Sequence, residues 1–195
     1  GHVSELPQSG SYFLHESGGD SVNVLRDQAG EVRAHHNFCR HRGTRLCIAP
    51  RGTLGPALQC AYHAWTYALD GALMGAPNMQ DVAGFERADW GLKPAALAEW
   101  RGFLFVNLAH QPQPFDVALH ALHTPSGRFA AWPLAELRAV HQIVYEVAAN
   151  WKLIFHNFSE CYHCPAAHPQ LNRLAHYRNT ENDLDEGAVL GGPMQ

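Results

Sequence analysis

Cys39 and His41 are followed, after 18 residues, by Cys60 and His63, so two short arms each offer one thiol and one imidazole. Both side chains are metal ligands. Two of each would complete a tetrahedral zinc shell. They would equally complete a two-iron, two-sulfide cluster with thiolates on one iron and imidazoles on the other, the neutral rings leaving less negative charge and raising the potential. Zinc-binding arms tend to pair like ligands, as C-x-x-C or H-x₃-H; each arm here is mixed, which favours the cluster. A second stretch, 150–169 (NWKLIFHNFSECYHCPAAHP), sets His163 and His168 five apart, close to Glu160. Two imidazoles and a carboxylate with open coordination positions form the ferrous set used to activate O₂. The C-x-x-C made by Cys161 and Cys164 can be read as a redox pair, but mid-helix it reads better as buried packing. Cys47 is read as structural.

These residues need elements to hold them. Residues 11–14 and 21–26 read as short strands around Gly18-Gly19. Asp27-Gln28-Ala29-Gly30 is a turn, with Gly30 supplying positive φ. Residues 31–37 pair back as a hairpin that delivers Cys39 at its end. A strand from 58 to 60 precedes the second arm, and 65–73 is a hairpin turning at Asp70-Gly71. Trp65 and Tyr67 are read as core, and the Tyr67 hydroxyl is placed to tune a ligating sulfur. Residues 101–108 are an apolar strand. Short strands with glycine turns and no long helix predict an all-β domain over 1–112.

Past that point His110, Gln111, Pro112, Pro114 and Pro125 mark a linker, with one helical turn near 116–122. A boundary near 112 divides the chain into domains 1–112 and 113–195. Residues 139–149 alternate as a half-buried strand. Asn150 caps a helix expected from Trp151 to Cys164 and ended by Pro165. Its Trp151, Ile154, Phe155 and Phe158 would pack on a sheet. On a continuous helix five residues turn His168 roughly 140° from His163; the break at Pro165 lets both face one metal.

The bulk numbers exclude more than they identify. A net charge of −4 over 195 residues, with 46% hydrophobic and 16% charged residues, describes a globular chain without a nucleic-acid-binding balance. No apolar run is long enough to span a membrane. Five cysteines in metal-like or helical spacings fit a reducing cytoplasm better than a disulfide framework. Of the 14 histidines, His2, His15, His35, His36, His110, His120, His123, His141 and His176 are expected at surface or ordinary polar positions. The chain opens without Met and closes on GGPMQ, and reads as an N-terminal piece of a longer protein.

The boxes CRHRG and CAYHAWTY, with ECYHCPAAHP downstream, resemble the two motifs of the large (alpha) subunit of Rieske-type non-haem iron oxygenases, in the same order. The resemblance implies an all-β Rieske domain followed by the start of an α+β helix-grip catalytic domain. It implies a [2Fe-2S] cluster on Cys39, His41, Cys60 and His63, and a mononuclear Fe(II) on His163 and His168. Glu160 takes the place of the acid that, in the family's trimers, links a cluster histidine of one subunit to an iron histidine of the next. Asn157 matches a polar residue near the iron, while His156 stands where relatives usually have Glu. The third iron ligand of the family lies further downstream. Glu181, Asp183, Asp185 and Glu186 lie in a solvated loop, so the true ligand is expected outside this chain.

The resemblance further implies a flavin/iron–sulfur reductase passing NAD(P)H electrons to the cluster, a small organic substrate with O₂, and a homotrimer, with no nucleic acid or membrane partner. ECYHCPAAHP with CAYHAWTYALDG is most similar to the branch acting on quaternary ammonium compounds such as glycine betaine, carnitine or stachydrine. Tyr162, Phe158 and Tyr177 could offer aromatic faces to such a cation. The alternatives are an aromatic ring-hydroxylating dioxygenase and, in a different class, a zinc-binding or electron-carrier module. The isolated chain is expected to be inactive.

Overall fold

The computed structural model describes residues 1–119 and 132–179, the side chains of 118 and 119 excepted. The chain forms two compact units, Gly1–Pro112 with Phe129–Val140, and Gln113–Arg128 with His141–Gln195.

The first unit is all-β. Strands β1 (Ser11–Ser17), β2 (Asp20–Arg26), β3 (Val32–His36) and β4 (Arg51–Thr53) form an antiparallel sheet in the order β3-β2-β1-β4. A second sheet runs β5 (Ala57–Gln59), β6 (Thr66–Ala68), β7 (Leu73–Gly75), and β8 (Ala96–Trp100) pairs with β9 (Phe103–Asn107) as a hairpin. Alternation along the strands gives the first sheet two apolar faces. Phe13, Val22, Val24 and Ala34 pack with Leu6, Ala95 and Leu104. Tyr12 and Leu25 point the other way, into a core with Leu58, Trp65, Tyr67, Leu69, Leu73 and the cysteines 39, 47 and 60. The ligand-bearing loops therefore grow directly out of a packed core.

Several expectations shift. The strand expected over 101–108 begins later, because Arg101 (φ +50) and Gly102 (φ +89) form the tip of the β8–β9 hairpin, whose first strand the sequence reading missed. His2 and His35 are buried at 8% and 5% exposure, not surface residues. Ser4 N–H donates to His2 Nδ1, so Nε2 carries the proton and donates to the Leu134 carbonyl at 3.1 Å. That bond ties the segment after the linker onto the first unit.

The second unit contains α1 (Phe115–Leu119), α2 (Trp151–Phe158), α3 (Cys164–Ala167) and α4 (Pro169–Leu174). The strand expected over 139–149 is not formed: these residues form no regular element, and all are exposed. A strand needs a neighbour for its N–H and C=O groups, and none pairs with it among the described residues. The apolar face of α2 likewise does not pack on a sheet, with Trp151 69% and Phe158 89% exposed. The candidate third ligands Glu181, Asp183, Asp185 and Glu186, and also His120, His123 and Pro125, lie outside the described residues.

Candidate metal centres

The two ligand arms of the first unit share one backbone design. In each, the N–H four residues past the cysteine bonds the cysteine carbonyl: Gly43 to Cys39 at 2.9 Å, Ala64 to Cys60 at 3.0 Å. The cysteine N–H in turn bonds the carbonyl five residues on, Thr44 or Trp65, at 2.8 Å in both. Closing so tight a loop requires a left-handed residue, supplied by Gly43 (φ +70) and, at the cost of strain, by Ala64 (φ +56).

These loops sort the mixed ligands by type. Cys39 and Cys60 are both 2% exposed and their thiols are hydrogen-bonded to each other. The His41 and His63 rings meet edge to face, 4.7 Å between centroids. Thiol faces thiol and imidazole faces imidazole, although each arm carries one of each. His41 stacks on the buried Trp65 (5.0 Å, 7° between planes), and its Nδ1 is buried with no hydrogen-bond partner. An orphaned acceptor there is costly unless a ligand takes it. Burial, then the nearby His63 and Arg42, hold His41 below the ordinary imidazole range, leaving the ring neutral as a metal ligand must be. Burial pushes the Cys39 thiol up. Burial also acts on Cys60, but the N–H groups of Tyr62 and His63, with the Cys39 and Thr44 side chains, outweigh it and bring that thiol below its usual value. The donor set fits an iron pair bound two thiolates and two imidazoles apart.

The arms are fixed from behind. Tyr67, fully buried, accepts the Arg40 N–H at 3.0 Å and places its hydroxyl 3.2 Å from the Cys39 sulfur. Asn37, one residue before Phe38, accepts the Cys47 N–H at 2.8 Å and donates to the Cys47 carbonyl at 2.7 Å, closing both ends of the first arm with one side chain. The Cys47 thiol, bonded by Asn23 and Tyr12 and pushed up to about 11 by burial, remains protonated and structural. Asn37 was missed by sequence reasoning; a buried amide has no signature in spacing.

In the second unit Asn150 caps α2 through the Lys152 N–H at 2.9 Å, but the helix stops at Phe158, well short of Cys164. Glu160 is the physical reason: its carboxylate takes the Tyr162 N–H and His163 Nδ1, both at 2.5 Å, and so builds a turn in competition with the helix. Pro165 does not end a helix. It lies in the first turn of α3, where its missing N–H costs nothing. His163 and His168 are the residues flanking this single-turn helix, and their ring centroids lie 5.3 Å apart. The break that brings the imidazoles together is thus at 159–163, with His168 (φ −131, ψ 58) turning the chain again. The bond to His163 first, with the Tyr162 N–H, keeps the Glu160 carboxyl below its usual range. Asn157 lies exposed near the end of α2, as does Tyr162 in the following turn, while Tyr177 is already covered by Arg178 at 5.6 Å. Among the described residues no three of His, Cys, Asp or Glu converge closely enough to hold a single ion; the donors come in pairs.

An all-β domain whose paired loops sort two thiols from two imidazoles is a Rieske-type iron–sulfur domain, here joined to a segment bearing a histidine pair. Sequence comparison agrees on both parts: residues 1–86 match the Rieske [2Fe-2S] domain, and residues 134–188 match the ring hydroxylating alpha subunit (catalytic domain). The chain is 40% identical over 184 residues to the glycine betaine monooxygenase oxygenase subunit of Chromohalobacter salexigens, covering 93% of this chain and 40% of that protein. It is 34% identical to the carnitine monooxygenase oxygenase subunit of Acinetobacter baumannii, covering 86% of this chain and 45% of that protein. A solved quaternary ammonium Rieske monooxygenase, whose structure is described as giving insight into carnitine oxidation and inter-subunit electron transfer, superposes with a TM-score of 0.83 at 30% identity, over 95% of this chain and 50% of that one. The chain belongs to the Rieske-type oxygenase alpha subunits, as an all-β Rieske domain followed by the start of the catalytic domain. It spans about two fifths to one half of the length of these relatives.

Proposed function

We propose that this chain is the cluster-bearing and iron-binding part of an oxygenase that oxidises a small quaternary ammonium compound by N-demethylation, supplied with NAD(P)H electrons by a flavin/iron–sulfur reductase. The observation that carries the reading is the sorting of Cys39 with Cys60 and His41 with His63, with His41 Nδ1 left without a protein partner. The glycine betaine and carnitine monooxygenases this chain resembles point to the substrate class. When bound, the cluster supplies one-electron transfer and the mononuclear iron supplies O₂ activation.

The chain's own residues then have distinct tasks. Cys39 and Cys60 would hold one iron of the cluster and His41 and His63 the other, while Trp65 covers one face of His41. His163 and His168 would hold the mononuclear iron. The Glu160 carboxylate occupies His163 Nδ1, which fixes the ring and leaves Nε2 as its ligating atom. A carboxylate has lone pairs beyond those used by His163 and Tyr162. Glu160 is therefore suited to accept a cluster histidine of a neighbouring subunit as well, in a trimer acting in a reducing cytoplasm. No helix among the described residues is long and apolar enough to cross a membrane.

The test is a visible spectrum and EPR of the reduced protein with iron per chain, followed by turnover of the whole oxygenase, of which this chain is a part, with reductase. Cluster signals and formaldehyde from glycine betaine are expected. A colourless zinc protein would overturn the oxygenase reading, and a cis-diol from an aromatic acid, without formaldehyde, would overturn the substrate class.

A further inference from the structure

Cys161 and Cys164 belong to neither ligand set, and their geometry suits a chemistry of their own. Because α2 stops at Phe158, the two lie across a turn instead of along a helix face, with the Cys164 N–H bonded to the Cys161 carbonyl at 3.0 Å. Residues i and i+3 of a turn have Cα atoms within about 7 Å, and a disulfide bridges Cα separations of about 4.4–6.8 Å. The two thiols are hydrogen-bonded to each other. Cys164, the first residue of α3, is 3% exposed, whereas Cys161 is only half-buried and open to a small solute. No disulfide joins them in the structure. Between them stand Tyr162 and His163, the two residues whose nitrogens Glu160 holds.

We propose that Cys161 and Cys164 form a reversible oxidation site with peroxide as co-reactant. The Cys161 sulfur attacks one oxygen of hydrogen peroxide and the O–O bond breaks. The departing oxygen leaves as water with the thiol proton, and Cys161 becomes a sulfenic acid. The Cys164 sulfur then displaces that hydroxyl, the S–S bond forms, and a second water leaves with the second thiol proton. In sum, two thiols and one hydrogen peroxide give one disulfide and two waters: the sulfurs are oxidised by two electrons and the peroxide is reduced by two. An external thiol reverses the bond by exchange. The cross-link closes over the turn that carries His163, so the backbone presenting that ring becomes covalently clamped. An O₂-activating iron is a local source of peroxide, a point that rests on the function proposed above. The test supplies peroxide from outside, so its outcome does not depend on that function.

The experiment is peptide mass mapping of the intact protein after brief exposure to hydrogen peroxide and alkylation. The expected result is a peptide spanning 161–164 that has lost two hydrogens, resists alkylation, and is alkylated at both sulfurs after thiol reduction. In Cys164→Ser, Cys161 should stop at a sulfenic acid that dimedone captures; in Cys161→Ser, Cys164 should stay reduced. Should either variant fail to fold, the wild-type map alone decides. The proposal is overturned if both wild-type thiols alkylate as in the untreated protein, or if Cys161 advances to sulfinic acid without a cross-link.

Discussion

The Tyr67 hydroxyl lies 3.2 Å from the Cys39 sulfur while its oxygen accepts the Arg40 N–H at 3.0 Å. Once Cys39 is ionised as a ligand its sulfur can only accept, so the Tyr67 hydroxyl donates to it. A donor to a ligating thiolate favours the more electron-rich, reduced cluster and raises its potential.

Tyr67→Phe keeps the ring and removes only that donor. Its cluster should reduce at a potential lower by tens of millivolts, since about 59 mV corresponds to tenfold in a one-electron equilibrium. Redox titration followed by EPR reads this directly, and an unchanged potential would remove Tyr67 from the tuning of the cluster.

Trp65 does two things that separate under substitution. It is 2% exposed in the core and stacks on His41 at 5.0 Å. Trp65→Ala should cost about 3–5 kcal/mol, the range for an aromatic residue truncated in a core. Trp65→Phe should restore most of the stability and leave the His41 face only partly covered. Thermal unfolding measures the first effect, and the EPR g-anisotropy of the reduced cluster the second.

Asn37 is the test of the loop closure. Replacing it by Ala strands the Cys47 N–H and carbonyl, each bonded now at 2.8 and 2.7 Å, and each buried unsatisfied group costs about 1–3 kcal/mol. A midpoint lowered by about 10 °C or more follows for a domain of this size. Faster loss of cluster absorbance to a chelator should accompany it. A variant that loses stability but keeps its cluster at the wild-type rate would show that Asn37 serves the fold without serving the arm.

How far the sequence could be read depends on which forces were local. The coming together of the Cys39 and Cys60 arms was legible because a metal they would share fixes ligand type and spacing, and the turns at Gly30 and Gly71 because a positive φ (+86 and +94) selects glycine. Strand β8 was missed because Ala96–Trp100 has no β-branched residue and is built of helix-favouring Ala, Leu and Glu. The length of α2 was misjudged for a different reason. Propensity and amphipathic spacing both continue past Phe158, yet the Glu160 side chain prefers the Tyr162 N–H and the His163 ring to a place on a helix surface. Such competition is settled by geometry that no periodicity encodes. Asn37 and the buried His2 were invisible for the same reason, since their partners lie 10 and 132 residues away.

Asp27 gives the acid limb of stability. Its side chain is 4% exposed; burial alone would push the carboxyl up, but the Arg33 bond at 2.9 Å and the N–H groups of Glu31 and Ala29 bring it below its ordinary 3.8. A group depressed in the folded state stabilises it above the unfolded value, and that contribution is lost as pH falls through the folded value. Stability of the Rieske unit should therefore drop below about pH 4, and Asp27→Asn should flatten that limb while lowering stability at neutral pH. Urea midpoints from pH 2 to pH 7 distinguish the two proteins. Equal slopes below pH 4 would assign the acid limb elsewhere.

In the proposed function, Glu160→Gln separates holding His163 from passing an electron toward it. The amide keeps an oxygen for the Tyr162 N–H or the His163 ring but loses the charge that both now share. In the whole oxygenase, cluster spectrum and iron content should be close to wild type, while turnover with reductase and substrate falls by a factor on the order of a hundred, as is seen when a histidine ligand loses its carboxylate partner. Single-turnover reduction of the cluster should proceed at the normal rate, which places the loss after the cluster and before product. Normal turnover would sink the bridging role, and a variant that also loses iron would show Glu160 acting on His163 alone.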